Sequence, residues 1–206
     1  MSRVRVKICG IKSPEDGLVA AHAGADAIGL NFFPPSPRYV EPERARDIAQ
    51  ALPAYVNRVA LFVNEPTETV ERVLARVPVD TLQFHGDETP KFCSQFGMPY
   101  VKSVGVRARR DIELAAEQYV DATALLLDQF DRERWGDTGE LFDWTLIPGE
   151  RRMPIVLAGG LTADNVAEAL RVVRPYAVDV SGGVESERGV KDPAKIEQFL
   201  RGVMNV

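Results

Sequence analysis

Arg3-Val4-Arg5-Val6-Lys7-Ile8-Cys9-Gly10 alternates strictly between polar and apolar residues, the pattern of a β-strand whose two faces differ. Val4, Val6 and Ile8 share one face and Arg5, Lys7 and Cys9 share the other. The strand has one side for packing and one for chemistry. Its last residue is a thiol, followed by a glycine that lets the chain turn. That thiol stands at the C-terminal end of a strand, where open and closed α/β folds keep their ligands.

Working outward, seven more short apolar or alternating segments follow, at residues 25–32, 59–63, 81–85, 100–104, 124–128, 155–158 and 177–181. With the opening strand they make eight. Helix starts punctuate the gaps at Ser13-Pro14, Glu41-Pro42, Glu65-Pro66, Thr89-Pro90 and Asp192-Pro193, each with proline at a first helical position. The first four prolines are 28, 24 and 24 residues apart, which is the length of a strand, a helix and two short loops. Helical periodicity fills the intervals, as in Val70, Val73, Leu74 and Val77. Eight strand–helix units in 206 residues predict an α/β protein, a single-domain (β/α)8 TIM barrel over residues 1–206, with a doubly wound sheet as the alternative.

Face parity separates these two. Strands of an open sheet covered by helices on both sides are apolar on both faces. Here one face carries Arg5/Lys7/Cys9, Ala27/Gly29/Asn31, Thr81/Gln83/His85 and Ala177/Asp179/Ser181, small or polar residues suited to the inside of a barrel. The opposite faces, such as Val4/Val6/Ile8 and Ile28/Leu30/Phe32, are large and apolar, as helix-packed outer faces are.

Composition bounds the function. A net charge of −5 gives no broad attraction to nucleic acid or anionic lipid. No apolar run approaches a membrane span, and the basic residues of the first ten sit inside a strand pattern rather than ahead of an apolar core. The expected location is the cytoplasm. Two cysteines allow one bridge at most and suggest no disulfide framework. No histidine–cysteine spacing suggests a metal, and no dinucleotide fingerprint or Ser-His-Asp set stands out.

Several residues at strand ends carry chemistry. Lys7 lies two residues before Cys9 on the same face, roughly 7 Å away, a cation that favours thiolate over thiol; the other reading of Cys9 is a small buried hydrophobe. Asp128 closes the run Leu125-Leu126-Leu127 at the barrel mouth as a proton donor, or else is a helix cap or a solvated loop acid. Gly159-Gly160 follows the seventh strand and Ser181-Gly182-Gly183 the eighth, the pair of loops where barrels present backbone N–H groups to a phosphate. Asp179 shares a face with Ser181 and either orients that site or satisfies a buried neighbour. Arg38, on a loop stiffened by Pro34, Pro35 and Pro37, suits a substrate carboxylate, with a solvated arginine as the alternative. His85 is a pocket wall or a polar core residue. Gly136-Asp137-Thr138-Gly139 makes a pliable cover, and Arg107/Arg109/Arg110 and Arg151/Arg152 read as solvated faces.

Taken in order, Lys7-Ile8-Cys9-Gly10-Ile11, Gln83-Phe84-His85-Gly86-Asp87-Glu88, Leu125-Leu126-Leu127-Asp128, Gly136-Asp137-Thr138-Gly139, Leu157-Ala158-Gly159-Gly160-Leu161 and Asp179-Val180-Ser181-Gly182-Gly183-Val184-Glu185 resemble the phosphoribosylanthranilate isomerases of tryptophan biosynthesis. The resemblance spans nearly the whole chain. It implies Cys9 as general base, Asp128 as general acid, Arg38 on the anthranilate carboxylate, and the loops at Gly159-Gly160 and Ser181-Gly183 on the phosphate. The implied substrate is N-(5'-phosphoribosyl)anthranilate, handled by a monomer or homodimer with no cofactor and no metal. Two departures stand out: Asp137 where the family usually has glycine, and Gly182 where it often has serine. The implied reaction is an Amadori rearrangement, in which an acid opens the sugar ring and a base then takes the C2′ proton.

Three rivals remain in view. An aminoaldose isomerase of histidine biosynthesis would call for aspartate at Cys9; a Schiff-base aldolase would use Lys7 or Lys102; a binding module would hold the phosphate ligand without turnover.

Overall fold

The alternation of the opening segment becomes the inside and outside of a closed ring. The computed structural model describes residues 3–129 and 141–206. In it β1 (Arg5–Cys9), β2 (Ala27–Asn31), β3 (Asn57–Phe62), β4 (Thr81–Phe84), β5 (Tyr100–Val106), β6 (Ala124–Gln129), β7 (Ile155–Leu157) and β8 (Ala177–Val180) pair in parallel, in chain order, into a barrel. The doubly wound alternative is excluded by the pairing of β8 with β1.

Register sets what points inward. Lys7 stands level with Ala27 and Asp179, and Cys9 level with Gly29, so these residues form successive layers of one interior. The remaining strands contribute Leu61, Ser103, Leu126, Asp128 and Val156 to the same face. Inside, Ala124, Leu126, Val156, Ala158 and Ala177 pack as a separate apolar cluster. The interior is therefore polar from β8 through β2 and greasy across β5 to β7. The outer faces, among them Val6, Ile8, Ile28, Leu30, Leu82 and Phe84, join the main core beneath the helices.

The described residues hold seven helices: α1 (Pro14–Ala23), α2 (Pro42–Ala51), α3 (Thr67–Leu74), α4 (Pro90–Ser94), α5 (Arg109–Gln118), α6 (Val166–Val173) and α7 (Pro193–Met204). Proline opens α1, α2, α4 and α7 as expected, and the side chains of Ser13, Thr89 and Asp192 accept hydrogen bonds from first-turn N–H groups. Pro66 differs: it is the residue before α3, in extended backbone, and the helix starts at Thr67. The sixth unit also differs from a regular repeat, because the described residues between β6 and β7 form a single 3-10 turn, Trp144–Leu146, and no α-helix.

Arg151 is not a solvated residue. Its guanidinium donates to the carbonyls of Pro148, Val173 and Arg174, closing the C-terminal end of α6, where a cation also meets the helix dipole. Arg110 is exposed and pairs with Glu113 and Glu117, as a solvated face should. After β8 the chain adds an antiparallel hairpin, β9 (Glu185–Glu187) with β10 (Val190–Lys191), that sequence patterning did not reveal. Among the described residues no helix is long and apolar enough to cross a membrane.

Candidate active site

At the C-terminal ends of the strands lies a cavity of about 690 Å³, and Cys9, Arg38, His85, Asp128, Gly159, Gly160, Asp179, Ser181, Gly182 and Gly183 all line it. These ten residues, singled out from the sequence for catalysis or substrate binding, meet in one place. The loop 136–139, including Asp137, lies outside the described residues.

Cys9 faces inward, beside Leu61 and Val63, and is 7% exposed. It is buried, yet against the cavity rather than the helices. Gly29 on the neighbouring strand makes this possible: a Cβ there would sit 2.7 Å from Cys9 Sγ and 3.0 Å from Lys7 Cε. The thiol and the lysine stem converge over the space a side chain would fill. Lys7 Nζ in turn donates to Asp179 Oδ2 at 2.8 Å, in a pair shielded from solvent. Burial opposes the Lys7 charge, but Asp179 and the thiol outweigh it, and the ammonium is held above its ordinary range.

The expectation that Lys7 tips Cys9 toward thiolate needs correction. Burial pushes the thiol upward, Lys7 pulls it down, and Asp179 adds to the rise; the net direction is up. One cation shared with a carboxylate does not offset the loss of water.

Asp128 is fixed from two sides. Its Oδ1 accepts from the Gln129 N–H at 2.7 Å, and its Oδ2 lies 3.6 Å from His85 Nε2. His85 is the pocket wall rather than a core residue, with Nδ1 at 3.2 Å from Gln83 Nε2 and Nε2 at 3.3 Å from Ser103 Oγ. Gly159 takes a positive φ of 79°, and a Cβ on it would lie 2.6 Å from Asp128 Oδ1. Only glycine fits beside that carboxylate. In this ring β1 and β6 are three strands apart, so Cys9 and Asp128 approach the cavity from different walls.

The loops after β7 and β8 are packed backbone against backbone. A Cβ on Gly183 would fall 1.9 Å from the Leu161 carbonyl oxygen. Asn165 ties the first loop down, accepting from Thr162 N–H and donating to the Gly160 carbonyl, both at 2.9 Å. Gly182–Val184 makes one 3-10 turn, and Ser181 Oγ donates to the Cys9 carbonyl at 3.0 Å. This geometry joins the glycine loops to the strand that carries the thiol.

Arg38 is buried, which removes the solvated alternative. It lies flat over Gly10, where a Cβ would come within 2.6 Å of its Cδ. Its Nε and Nη2 fork onto Glu185 Oε1 and Oε2 at 2.7 and 2.8 Å. Glu185 also accepts from Lys191 Nζ at 2.7 Å and the Gly189 N–H at 3.0 Å. Burial works against this carboxylate, but Arg38, Lys191 and Gly189 outweigh it and bring it down to about 2.

Sequence reading missed Glu185 and Lys191 as site residues, and gave Gln83 and Ser103 no role. The only advance signal was position: Glu185 follows the Ser181-Gly183 turn directly. The Schiff-base alternative fails on geometry. Lys102 is level with Phe84, on the outer face, and donates to the carbonyls of Phe84, Gly86 and Ser103. Lys7 is charged and engaged by Asp179, a poor state for a nucleophilic amine.

Residues 6–202 match the family model described as N-(5'phosphoribosyl)anthranilate (PRA) isomerase. A protein of that name from Neisseria meningitidis is 53% identical over 200 residues, covering 97% of this chain and 96% of its own length. The crystal structure of phosphoribosyl anthranilate isomerase from Thermotoga maritima superposes with a TM-score of 0.91 at 43% identity, covering 98% of this chain and all of that one. A second structure, with TM-score 0.83 and 39% identity over 98% of this chain and all of that one, is of the isomerase in complex with reduced 1-(o-carboxyphenylamino)-1-deoxyribulose 5-phosphate. Fold and sequence agree, and the chain belongs to the N-(5'-phosphoribosyl)anthranilate isomerase family, aldose–ketose isomerases of tryptophan biosynthesis.

Proposed function

We propose that this chain, as a single (β/α)8 domain in the cytoplasm, rearranges N-(5'-phosphoribosyl)anthranilate to 1-(o-carboxyphenylamino)-1-deoxyribulose 5-phosphate, with Asp128 as general acid and Cys9 as general base. The observation that carries this is the meeting of a thiol, a fixed carboxyl, an arginine and two glycine loops around one cavity. Asp128 protonates the furanose oxygen as the C1′–O bond breaks, leaving an iminium at C1′. Cys9 then takes the proton from C2′, and the electron pair moves to the nitrogen to give an enolamine. Tautomerisation of the enolamine gives the ketone. One acid and one base suffice, because the substrate's own nitrogen accepts the electrons.

Burial raises the basicity of the thiol, and a base must be unprotonated when it acts. The iminium formed over Cys9 adds a positive charge to that of Lys7, and the two together favour thiolate at the step that uses it. The glycine loops hold the phosphate through backbone donors, a role that does not need the serine hydroxyl absent at Gly182. Arg38 faces the anthranilate carboxylate. Asp179 Oδ1 is buried with no hydrogen-bond partner among the described residues, and it accepts from a sugar hydroxyl. The enzyme works as a monomer or a homodimer.

Loss of anthranilate fluorescence from freshly made substrate measures turnover. Cys9→Ala and Asp128→Ala should each reduce kcat by about a hundredfold or more. Full kcat in both variants would reject the assignment, and ligand affinity without turnover in the unaltered protein would favour the binding-module reading.

A further inference from the structure

We infer that Glu185, through its paired partner Lys191, is a positioning residue that sets Arg38 for the substrate carboxylate and ties that arm to the phosphate end of the site. The inference rests on the function proposed above for Arg38 and for the loop at Ser181. Three observations carry it.

First, Glu185 takes the whole Nε–Nη2 edge of the Arg38 fork in a bidentate contact, and both groups are nearly closed to solvent, at 4% and 8% side-chain exposure. A guanidinium gripped along one edge is held in one plane. Gly10 below it has no side chain to contest that plane.

Second, Lys191 Nζ reaches Glu185 Oε1 at 2.7 Å and also the carbonyl and hydroxyl oxygens of Ser181, at 3.0 and 3.3 Å. Ser181 begins the turn that faces the phosphate, and its hydroxyl donates to the carbonyl of Cys9. A continuous chain of contacts thus runs from the arginine arm through Glu185 and Lys191 to Ser181 and the strand of the thiol.

Third, the hairpin of β9 and β10 is built around this chain. Glu185 opens it, Lys191 closes it, and the Gly189 N–H of its turn donates to Glu185 Oε2 at 3.0 Å. Lys195, in the first turn of α7, adds a bond to the Glu185 carbonyl at 2.6 Å. The hairpin holds one acid with its donors converging on it, an arrangement that orients Arg38 without itself touching the reacting carbons.

The test separates positioning from bulk stability. Glu185→Gln keeps size and shape but removes the charge that aligns the fork. It should raise KM by about tenfold, with kcat within about threefold of the parent. In an Arg38→Ala background the same Glu185→Gln change should leave KM unaltered, because there is no longer an arginine to aim. Lys191→Met should weaken competitive inhibition by inorganic phosphate as well as raising KM, because it also loosens Ser181. Folding of each variant is checked by circular dichroism and its melting temperature.

Unchanged KM in folded Glu185→Gln would overturn the inference, as would a KM effect of equal size with and without Arg38. A lower KM would overturn it too, since it would mean that the substrate carboxylate competes with Glu185 for the fork. If Arg38→Ala alone leaves KM unchanged, the role proposed for Arg38 is what fails. Should Glu185→Gln not fold, Glu185→Asp, which keeps the charge on a shorter arm, is read by the same comparison of KM with and without Arg38.

Discussion

Replacing Gly159 with alanine should disable the acid while the fold survives. Two separate effects follow from one added methyl. The backbone at Gly159 has φ +79°, a region in which an L-residue with a Cβ is strained by about 1–2 kcal/mol. In a chain of this size that lowers the melting temperature by roughly 2–8 °C. The second effect is local to the site. The new Cβ would stand 2.6 Å from Asp128 Oδ1 and 3.0 Å from the Gln129 nitrogen that donates to it, whereas ordinary contact begins at 3.4 Å. The oxygen must retreat by the difference, about 0.8 Å, and a shift near 1 Å in a positioned group costs on the order of a hundredfold in rate. Gly97→Ala separates these effects. Gly97 also has a positive φ, +63°, but a Cβ there meets nothing within 4 Å, so it carries the backbone strain alone. The fluorescence assay should show kcat down by about a hundredfold for Gly159→Ala and unaltered for Gly97→Ala, with comparable losses in melting temperature. Parent-like kcat in Gly159→Ala would refute the claim that Asp128 is held in a working position by the glycine beside it.

Other expectations follow from the same geometry. Glu185 falls from an ordinary 4.5 to about 2, so its charged form adds stability that is complete above pH 4.5 and is lost as pH drops toward 2. By linkage that contribution is about 3 kcal/mol, of which roughly 2 disappears between pH 6 and pH 3. Urea unfolding should therefore show a smaller acid loss for Glu185→Gln than for the parent, and parallel pH curves would contradict the ion pairing. Gly183→Ala puts a Cβ 1.9 Å from the Leu161 carbonyl oxygen, which forces the two glycine loops apart. Inhibition by inorganic phosphate should weaken by about tenfold, and unchanged inhibition would place the phosphate elsewhere. Burial holds Cys9 above its ordinary 9.0, so iodoacetamide alkylation should rise with a midpoint above pH 9, and further up in Lys7→Met. A midpoint near pH 7 in the parent would mean that Lys7 dominates after all.

Most of the barrel was legible because β1, β2, β4 and β8 alternate, and alternation fixes which face turns inward. The apolar run Leu125-Leu126-Leu127 hides its parity, and only the register with Ser103 and Val156 shows that Leu126 is the one inside. Prolines marked helix starts since their fixed φ suits the first turn, yet Pro66 serves equally well one residue earlier, and no local rule separates the two positions. The candidate site residues were readable because each stands at or near a strand end, in a glycine turn or, for Arg38, on a loop stiffened by prolines. Glu185 was not readable. Its role depends on Arg38, 147 residues away, and on a hairpin whose sequence Glu185-Ser186-Glu187-Arg188-Gly189-Val190-Lys191 reads as solvated charge. Desolvation at Cys9 was equally hidden, because how much water a strand face loses is a property of the closed ring rather than of the strand.

The two strand lysines show how one step of register separates chemistry from scaffolding. Lys7 and Lys102 each sit in a barrel strand, and both were candidates for an amine nucleophile. Lys7 is level with Asp179 and Ala27, which turns it inward beside the thiol, where its ammonium acts on the charge of a neighbour. Lys102 is level with Phe84, which turns it outward between the barrel and the helices, a region with no water to solvate a charge. There its three N–H donors are taken up by the carbonyls of Phe84, Gly86 and Ser103, with Glu88 as counter-ion at 3.4 Å. Two of those carbonyls, of Phe84 and Gly86, flank His85 where β4 passes into the turn that follows it. Lys102 thus supports from behind the wall that carries His85. Because side chains alternate along a strand, moving either lysine by one residue would exchange inside for outside: it would leave a buried Asp179 without its cation, or the turn after β4 without its anchor. Each single exchange strands an unpaired charge in a dry layer, at a cost of several kcal/mol, and for that reason the parity of these two positions is as much a part of the site as the thiol and the carboxyl.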